Sequence, residues 1–204
     1  MPDLPLASTF YVDYADPAIQ TLADTLGAGG QDDQDYARAA FEHVRDNIPH
    51  TAETGRQIVT AKASDVLAAG TGICHAKANL LAALLRAGNI PAGFGFQHLT
   101  LGDDDQDGYC LHGFVVAFIG GRPTAMDPHP GVAWSTTQPM LWFPNRPEYD
   151  EYTFDGWWAE PDSGTMDVLA HTATFDQAWR ALPDQPSDPP AGSWPLAEGS
   201  PDER

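Results

Sequence analysis

The sequence predicts an α+β protein in which helices come first and a small antiparallel sheet follows. Three observations carry this prediction. Apolar residues recur at helical spacing through two segments before position 88, most clearly Tyr36, Ala40, Phe41, Val44 and Ile48. After Pro91 the pattern changes to strand-like runs, Ala92 to Leu101 and Tyr109 to Ile119. Gly120-Gly121 then makes a tight turn into Arg122 to Met126, which pairs the last two strands as a hairpin. Helices grouped ahead of strands are the signature of an α+β arrangement rather than of alternating βα units.

In chain order, Asp16 and Pro17 open a helix that runs to about Leu26 and ends at Gly27-Ala28-Gly29-Gly30. A second helix spans Asp33 to Asn47, with acidic residues in its first turn to complement the dipole and Pro49 to stop it. Ser64 is placed to cap a short helix that buries Val66 and Leu67 and ends at Gly70. A long apolar helix follows from about Cys74 to Ala87, closed by Gly88-Asn89 and Pro91. The two strands beyond it are joined by the charged loop Gly102 to Gly108. His129 to Phe143 reads as irregular, Tyr152 to Trp158 as a short packed element, and Asp167 to Leu182 as one last amphipathic helix. Residues 1–182 are thus expected to form a single domain. Residues 183–204, rich in Pro, Ser, Gly and acid, are expected to form a mobile or loosely wrapped tail.

Charge narrows the partners. The chain has 29 acidic residues against 10 basic ones, a formal net charge of −19, and lysine only at positions 62 and 77. Nucleic acid and anionic membrane surfaces both demand positive charge and are excluded as partners. The acids are scattered and Asp outnumbers Glu, which points to adaptation to a high-salt interior rather than to a funnel for a cationic substrate. The amino end lacks the basic start and apolar run of a secretory signal, and no stretch is long enough to span a bilayer. A cytoplasmic protein with two reduced cysteines is the expectation.

Chemistry concentrates in three places. Cys74 sits at the first turn of the apolar helix, where unpaired backbone N–H groups favour a thiolate. His112 lies in the second strand and Asp127 at the end of the third, in the hairpin arrangement that brings neighbouring strands together. A nucleophile, a base and a carboxylate to orient the base make a complete mechanism. Competing readings are a buried structural thiol, or a metal site made of Cys74, Cys110 and His112, although no compact ligand motif is present. Cys110 shares the His112 side of its strand by the two-residue period and is read as structural packing beside the site. Gln97 and His98, late in the first strand, are candidates for an oxyanion donor or the pocket wall; His129 is a candidate for the entrance and Trp134, with Trp142, for an acyl-site wall. His75 points about 100 degrees around the helix from Cys74 and is expected on the surface or in the pocket lining rather than as the base. No cofactor is called for, and oligomeric state is not legible.

Several of these segments resemble the transglutaminase-like superfamily, in particular its small stand-alone microbial members. The resemblance rests on Phe41-Glu42-His43-Val44-Arg45-Asp46-Asn47-Ile48-Pro49-His50, on Ala63 through Cys74 with its Gly70-Thr71-Gly72-Ile73-Cys74 ending, on the Leu-Leu-Arg-Ala-Gly-Asn-Ile-Pro-Ala-Gly run ending at Gly93, and on Gly95 to Leu99 and Leu111-His112-Gly113. It covers roughly positions 35 to 182. It implies a papain-like core with the Cys74 helix packed on the sheet that carries His112 and Asp127. It also implies acyl transfer: Cys74 attacks an amide carbonyl, His112 protonates the leaving amine, and water or an amine resolves the thioester. The superfamily includes peptidases, amidases, cross-linking enzymes and catalytically silent binding domains. This sequence departs from the branch at His98, where arginine is frequent, at Pro128-His129-Pro130-Gly131 after the aspartate, and in lacking a tryptophan shortly before it.

Overall fold

The helix that begins at Cys74 organises the molecule. In the computed structural model, which describes residues 5–193, this helix α5 (Cys74–Ala87) is buried along nearly its whole length, every residue from His75 to Arg86 being inaccessible. Its Ala- and Leu-rich sequence suits both helix formation and close packing on all sides. Helices α1 (Pro17–Leu26), α2 (Asp33–Asn47) and α4 (Ala63–Ala69) cover one side, with a four-residue helix α3 (Thr51–Thr54) between the last two. Strands β1 (Ala92–Thr100), β2 (Tyr109–Ile119), β3 (Arg122–Met126) and the short β4 (Tyr152–Thr153) form one antiparallel sheet, order β3-β2-β1-β4, against the other side. Helices α6 (Ser163–His171) and α7 (Phe175–Ala181) are the last helices among the described residues. The α+β class, helices then antiparallel sheet, is as the sequence predicts.

Specific contacts fix α5 in place. The Tyr36 hydroxyl on α2 donates to the Leu84 carbonyl at 2.6 Å, and the ring lies so close to Gly88 that any side chain there would overlap it. Buried Arg86 donates to the carbonyls of Ala7, Ala92 and Ala159, tying the last turn to three separate segments. On the sheet, Leu111, Val115, Ala117 and Ile119 of β2 join the main core, while Phe114 and Val116 form a smaller cluster with Ala125 and Trp157 on the opposite face. This is the two-residue alternation of a strand covered on both sides.

Two local expectations are corrected. Ser64 is not the cap of α4: the N-cap is Lys62, and Ser64 lies inside the first turn, where its N–H and hydroxyl both donate to the Asp13 carboxylate at 3.0 and 2.6 Å. The cap is therefore supplied from a distant segment. The single helix expected over Asp167 to Leu182 is two helices, because Thr172 adopts an extended conformation and Thr174 starts a new helix by accepting the Gln177 N–H on its hydroxyl.

Beyond Leu182, the Pro183 carbonyl accepts the Leu111 N–H, the Asp184 carbonyl meets the His98 ring, and Gly192 bridges to Trp157. The rest of the segment read as a tail, 194–204, lies outside the described residues. No described helix is long and apolar enough to cross a membrane.

Candidate active site

Cys74 is the first residue of α5, and the residue that caps the helix, Ile73, offers no side-chain acceptor. Among the described residues, the Cys74 N–H has no acceptor. The first turn thus presents unpaired donors and the positive end of the dipole around the half-buried sulfur. How close the sheet comes is set by Gly113. His75, the next residue of α5, lies over Gly113 and its Nε2–H donates to the Leu111 carbonyl at 2.8 Å. A Cβ at position 113 would sit 2.6 Å from His75 Nδ1, so only glycine permits this approach. His75 is accordingly buried, not on the surface or in the pocket lining as its helical angle suggested.

His112 is 5 % exposed and its Nε2 lies 2.9 Å from Asp127 Oδ2. Asp127, 3 % exposed, is held by its own N–H donating to the Met140 carbonyl. With Nε2 engaged by the carboxylate, Nδ1 is the ring nitrogen left free, and Cys74 lines the same cleft as His112. Burial pushes the Cys74 thiol up, but the surrounding His75, His112 and His50 side chains outweigh it and hold the thiol well below an ordinary cysteine. The partner shift has the opposite sign. Burial lowers His112, while the Asp127 and Cys74 charges and the Asp127 hydrogen bond push it up to about 10. The opposite directions of the two shifts favour the thiolate on Cys74 and the imidazolium on His112.

Both residues open on a cleft of about 530 Å³ whose wall is mainly apolar, with Leu99, Leu111, Phe143 and Leu182 among its members. Cys110 also lines it; burial raises that thiol to about 12, which leaves it protonated and distinguishes it from Cys74. His129 lines the cleft with its ring stacked on Trp142 at 4.4 Å. Phe143 sets its ring edge-on to His112 at 5.0 Å.

The remaining residues singled out from the sequence lie elsewhere. Gln97 faces His112 across the strand pair, but its amide nitrogen is taken by the Phe143 carbonyl and Asn145, so it supports the loop over His112 and does not line the cleft. His98 is stacked between Tyr109 and Tyr152, outside the cleft. Trp134 packs against Phe41 and borders a separate, polar depression. Among the described residues, no group of three or more His, Cys, Asp or Glu side chains could hold a metal ion, and Cys74, Cys110 and His112 form no such group.

The structure adds residues that sequence reading missed. His50 lines the cleft together with Cys74 and His112. Trp179 of α7 and the Arg146–Glu151 pair form further parts of the wall. The signals for His50 are its place directly after the Pro49 that stops α2 and at the end of the first family-resembling segment, and neither assigns it to the site. That it returns to Gly72, two residues before Cys74, depends on a long-range backbone bridge with no local pattern.

No curated protein matches the chain. Among solved structures, the chain is similar to a proposed cysteine protease from Cytophaga hutchinsonii, with 22 % identity over 60 % of this chain and 40 % of that one at a TM-score of 0.49. It is also similar to a proposed protease from Parabacteroides distasonis, with 19 % identity over 54 % and 23 % at 0.41. A third similar structure is a TGase, with 16 % identity over 67 % and 37 % at 0.40. The chain therefore spans less than half the length of each of these proteins. The model of the transglutaminase-like superfamily matches residues 20–128, more than half of the chain and the stretch that holds Cys74, His112 and Asp127. The chain belongs to the transglutaminase-like superfamily.

Proposed function

We propose that this protein is a thiol-dependent enzyme that cleaves an amide or peptide bond through an acyl-Cys74 thioester, with Cys74 as nucleophile, His112 as acid and base, and Asp127 orienting His112. The observation that carries the reading is the His112–Asp127 contact of 2.9 Å in a cleft that His112 shares with Cys74, whose sulfur sits at an uncapped helix start. The thiolate attacks the carbonyl carbon and the π pair moves onto oxygen. Collapse of that adduct expels the amine, which takes the proton from the His112 imidazolium. Water, giving its proton to His112, then attacks the thioester and releases the acid. Hydrolysis is the primary reading; an amine in place of water gives transfer by the same steps.

The mainly apolar cleft wall supports an acyl donor with an apolar side chain. The net charge of −19 supports a cytoplasmic protein working at high salt, and the motif run around Cys74 supports a place among the small microbial members of the superfamily. The test is the reactivity of Cys74 towards iodoacetamide as a function of pH, with mapping of the labelled residue. The reading expects a midpoint well below that of an ordinary cysteine and strong suppression in His112→Ala. Ordinary thiol reactivity, unchanged in His112→Ala and without acyl-enzyme formation, would instead mark a catalytically silent binding domain.

A further inference from the structure

His50 plays no part in the mechanism above, yet it is built into the site from three directions. Its backbone is stitched to the approach of α5: the Thr51 N–H donates to the Gly72 carbonyl at 3.2 Å, and the Thr71 hydroxyl donates to the Pro49 carbonyl at 2.9 Å. Thr71 is fully buried, so the two segments cannot drift apart without unpacking. Its ring is held edge-on to Phe175 and Trp179 of α7, at centroid distances of 6.5 and 6.3 Å. Its tautomer is fixed as well. The Ala52 N–H donates to Nδ1 at 3.2 Å, which leaves the ring hydrogen on Nε2, the nitrogen with no other partner among the described residues, in a side chain that lines the cleft beside Cys74.

A second base is not needed beside His112, and a ring whose Nδ1 already accepts a backbone N–H is poorly placed to act as one. What the chemistry does lack is a second donor for the oxygen that becomes negative when the thiolate adds to the carbonyl. The Cys74 N–H supplies one. Gln97, the other candidate from the sequence, has its amide nitrogen committed to the 143–145 loop.

We infer that His50 Nε2–H is the second oxyanion donor, acting with the Cys74 backbone N–H on the carbonyl oxygen of the acyl donor. This rests on the proposed thioester mechanism. As the sulfur–carbon bond forms, the carbonyl π pair moves onto oxygen, where these two N–H groups receive it. When the carbon–oxygen double bond re-forms and the amine leaves with the His112 proton, both donors return to their resting state without having transferred a proton. Preorganised donors of this kind are worth about 10²–10³ in rate.

The experiment compares two reactions of the same sulfur in the whole chain. Acylation by 4-nitrophenyl acetate passes through an oxyanion, whereas alkylation by iodoacetamide does not. In His50→Phe, which keeps an aromatic ring against Trp179 and Phe175 but has no donor, acylation is expected to fall by about 10²-fold or more while alkylation at pH 7 stays within about threefold. His50→Gln, which restores an N–H, is expected to recover at least about a tenth of the wild-type acylation rate. Acylation retained in His50→Phe overturns the oxyanion role alone. Acylation and alkylation falling together also overturn it, and assign His50 to holding the thiolate. A wild-type protein that is alkylated at Cys74 but not acylated overturns the thioester mechanism itself, and the oxyanion role with it.

Discussion

Asp127 Oδ2 engages His112 at Nε2, 2.9 Å away, and so leaves Nδ1 as the free nitrogen of a ring that lines the cleft with Cys74. The carboxylate also adds its charge to the imidazolium side of the pair. Asp127→Asn keeps an acceptor for Nε2–H but removes that charge. Acyl transfer is expected to fall by about 10²-fold, and the upper pH limit of activity to move down because the imidazolium is less favoured. Steady-state rates across pH check both effects; an unchanged upper limit would separate Asp127 from the titration of His112.

The sign of the two shifts sets the pH window. Cys74 lies well below an ordinary thiol, so thiolate is present once pH rises above that depressed value and persists at higher pH. His112 is raised to about 10, so its proton is present at neutral pH and lost as pH rises through about 10. Alkylation of Cys74 is therefore expected to rise at low pH and stay high, while acyl transfer, which needs the imidazolium proton, declines near pH 10. Parallel rate profiles for the two reactions distinguish these limbs.

Gly113 is predicted to be intolerant because of His75 and not because of its own backbone. Gly113→Ala places a methyl 2.6 Å from His75 Nδ1 and is expected to cost about 1–3 kcal/mol in chemical denaturation. It also lowers Cys74 alkylation by pushing the start of α5 off the sheet. Combining it with His75→Ala should return part of the alkylation rate, since the clash is then relieved.

Glu151 anchors the loop that walls the cleft. It accepts from Arg146 Nη2 and Nε at 2.6 and 3.0 Å and from the Thr100 N–H and hydroxyl. Arg146 beside it, helped by Thr100 and working against burial, holds its carboxyl at about 2. A depressed carboxylate contributes stability that is present above its unfolded value and lost as pH falls from there through about 2. Glu151→Gln is expected to cost about 1–3 kcal/mol at pH 7, and to remove this part of the acid sensitivity. Thermal unfolding at pH 7 and pH 3 measures both, and equal destabilisation at the two values would contradict the assignment.

Legibility in the sequence followed the range of the forces involved. The Cys74 helix, the hairpin that brings His112 near Asp127, and the Cys110–His112 alternation follow from local periodicity and turn chemistry, and the structure has them all. The break between α6 and α7 was missed because both halves carry compatible apolar spacing, and only the Thr172 and Thr174 conformations separate them. Gln97 faces His112 as the strand register requires, but the 143–145 loop claims its amide. The place of His50 in the cleft escapes the sequence for the same kind of reason: it is made by a bridge to Gly72 and by aromatic neighbours more than 120 residues away.

The most direct test of the central claim is intact-protein and peptide mass spectrometry of the chain after brief exposure to a broad library of peptides and simple amides, at low and at molar salt. The account predicts one acyl group added through Cys74, lost on incubation with water or hydroxylamine, and absent in Cys74→Ala. No acyl adduct under any salt condition, or an adduct that persists in Cys74→Ala, would contradict it.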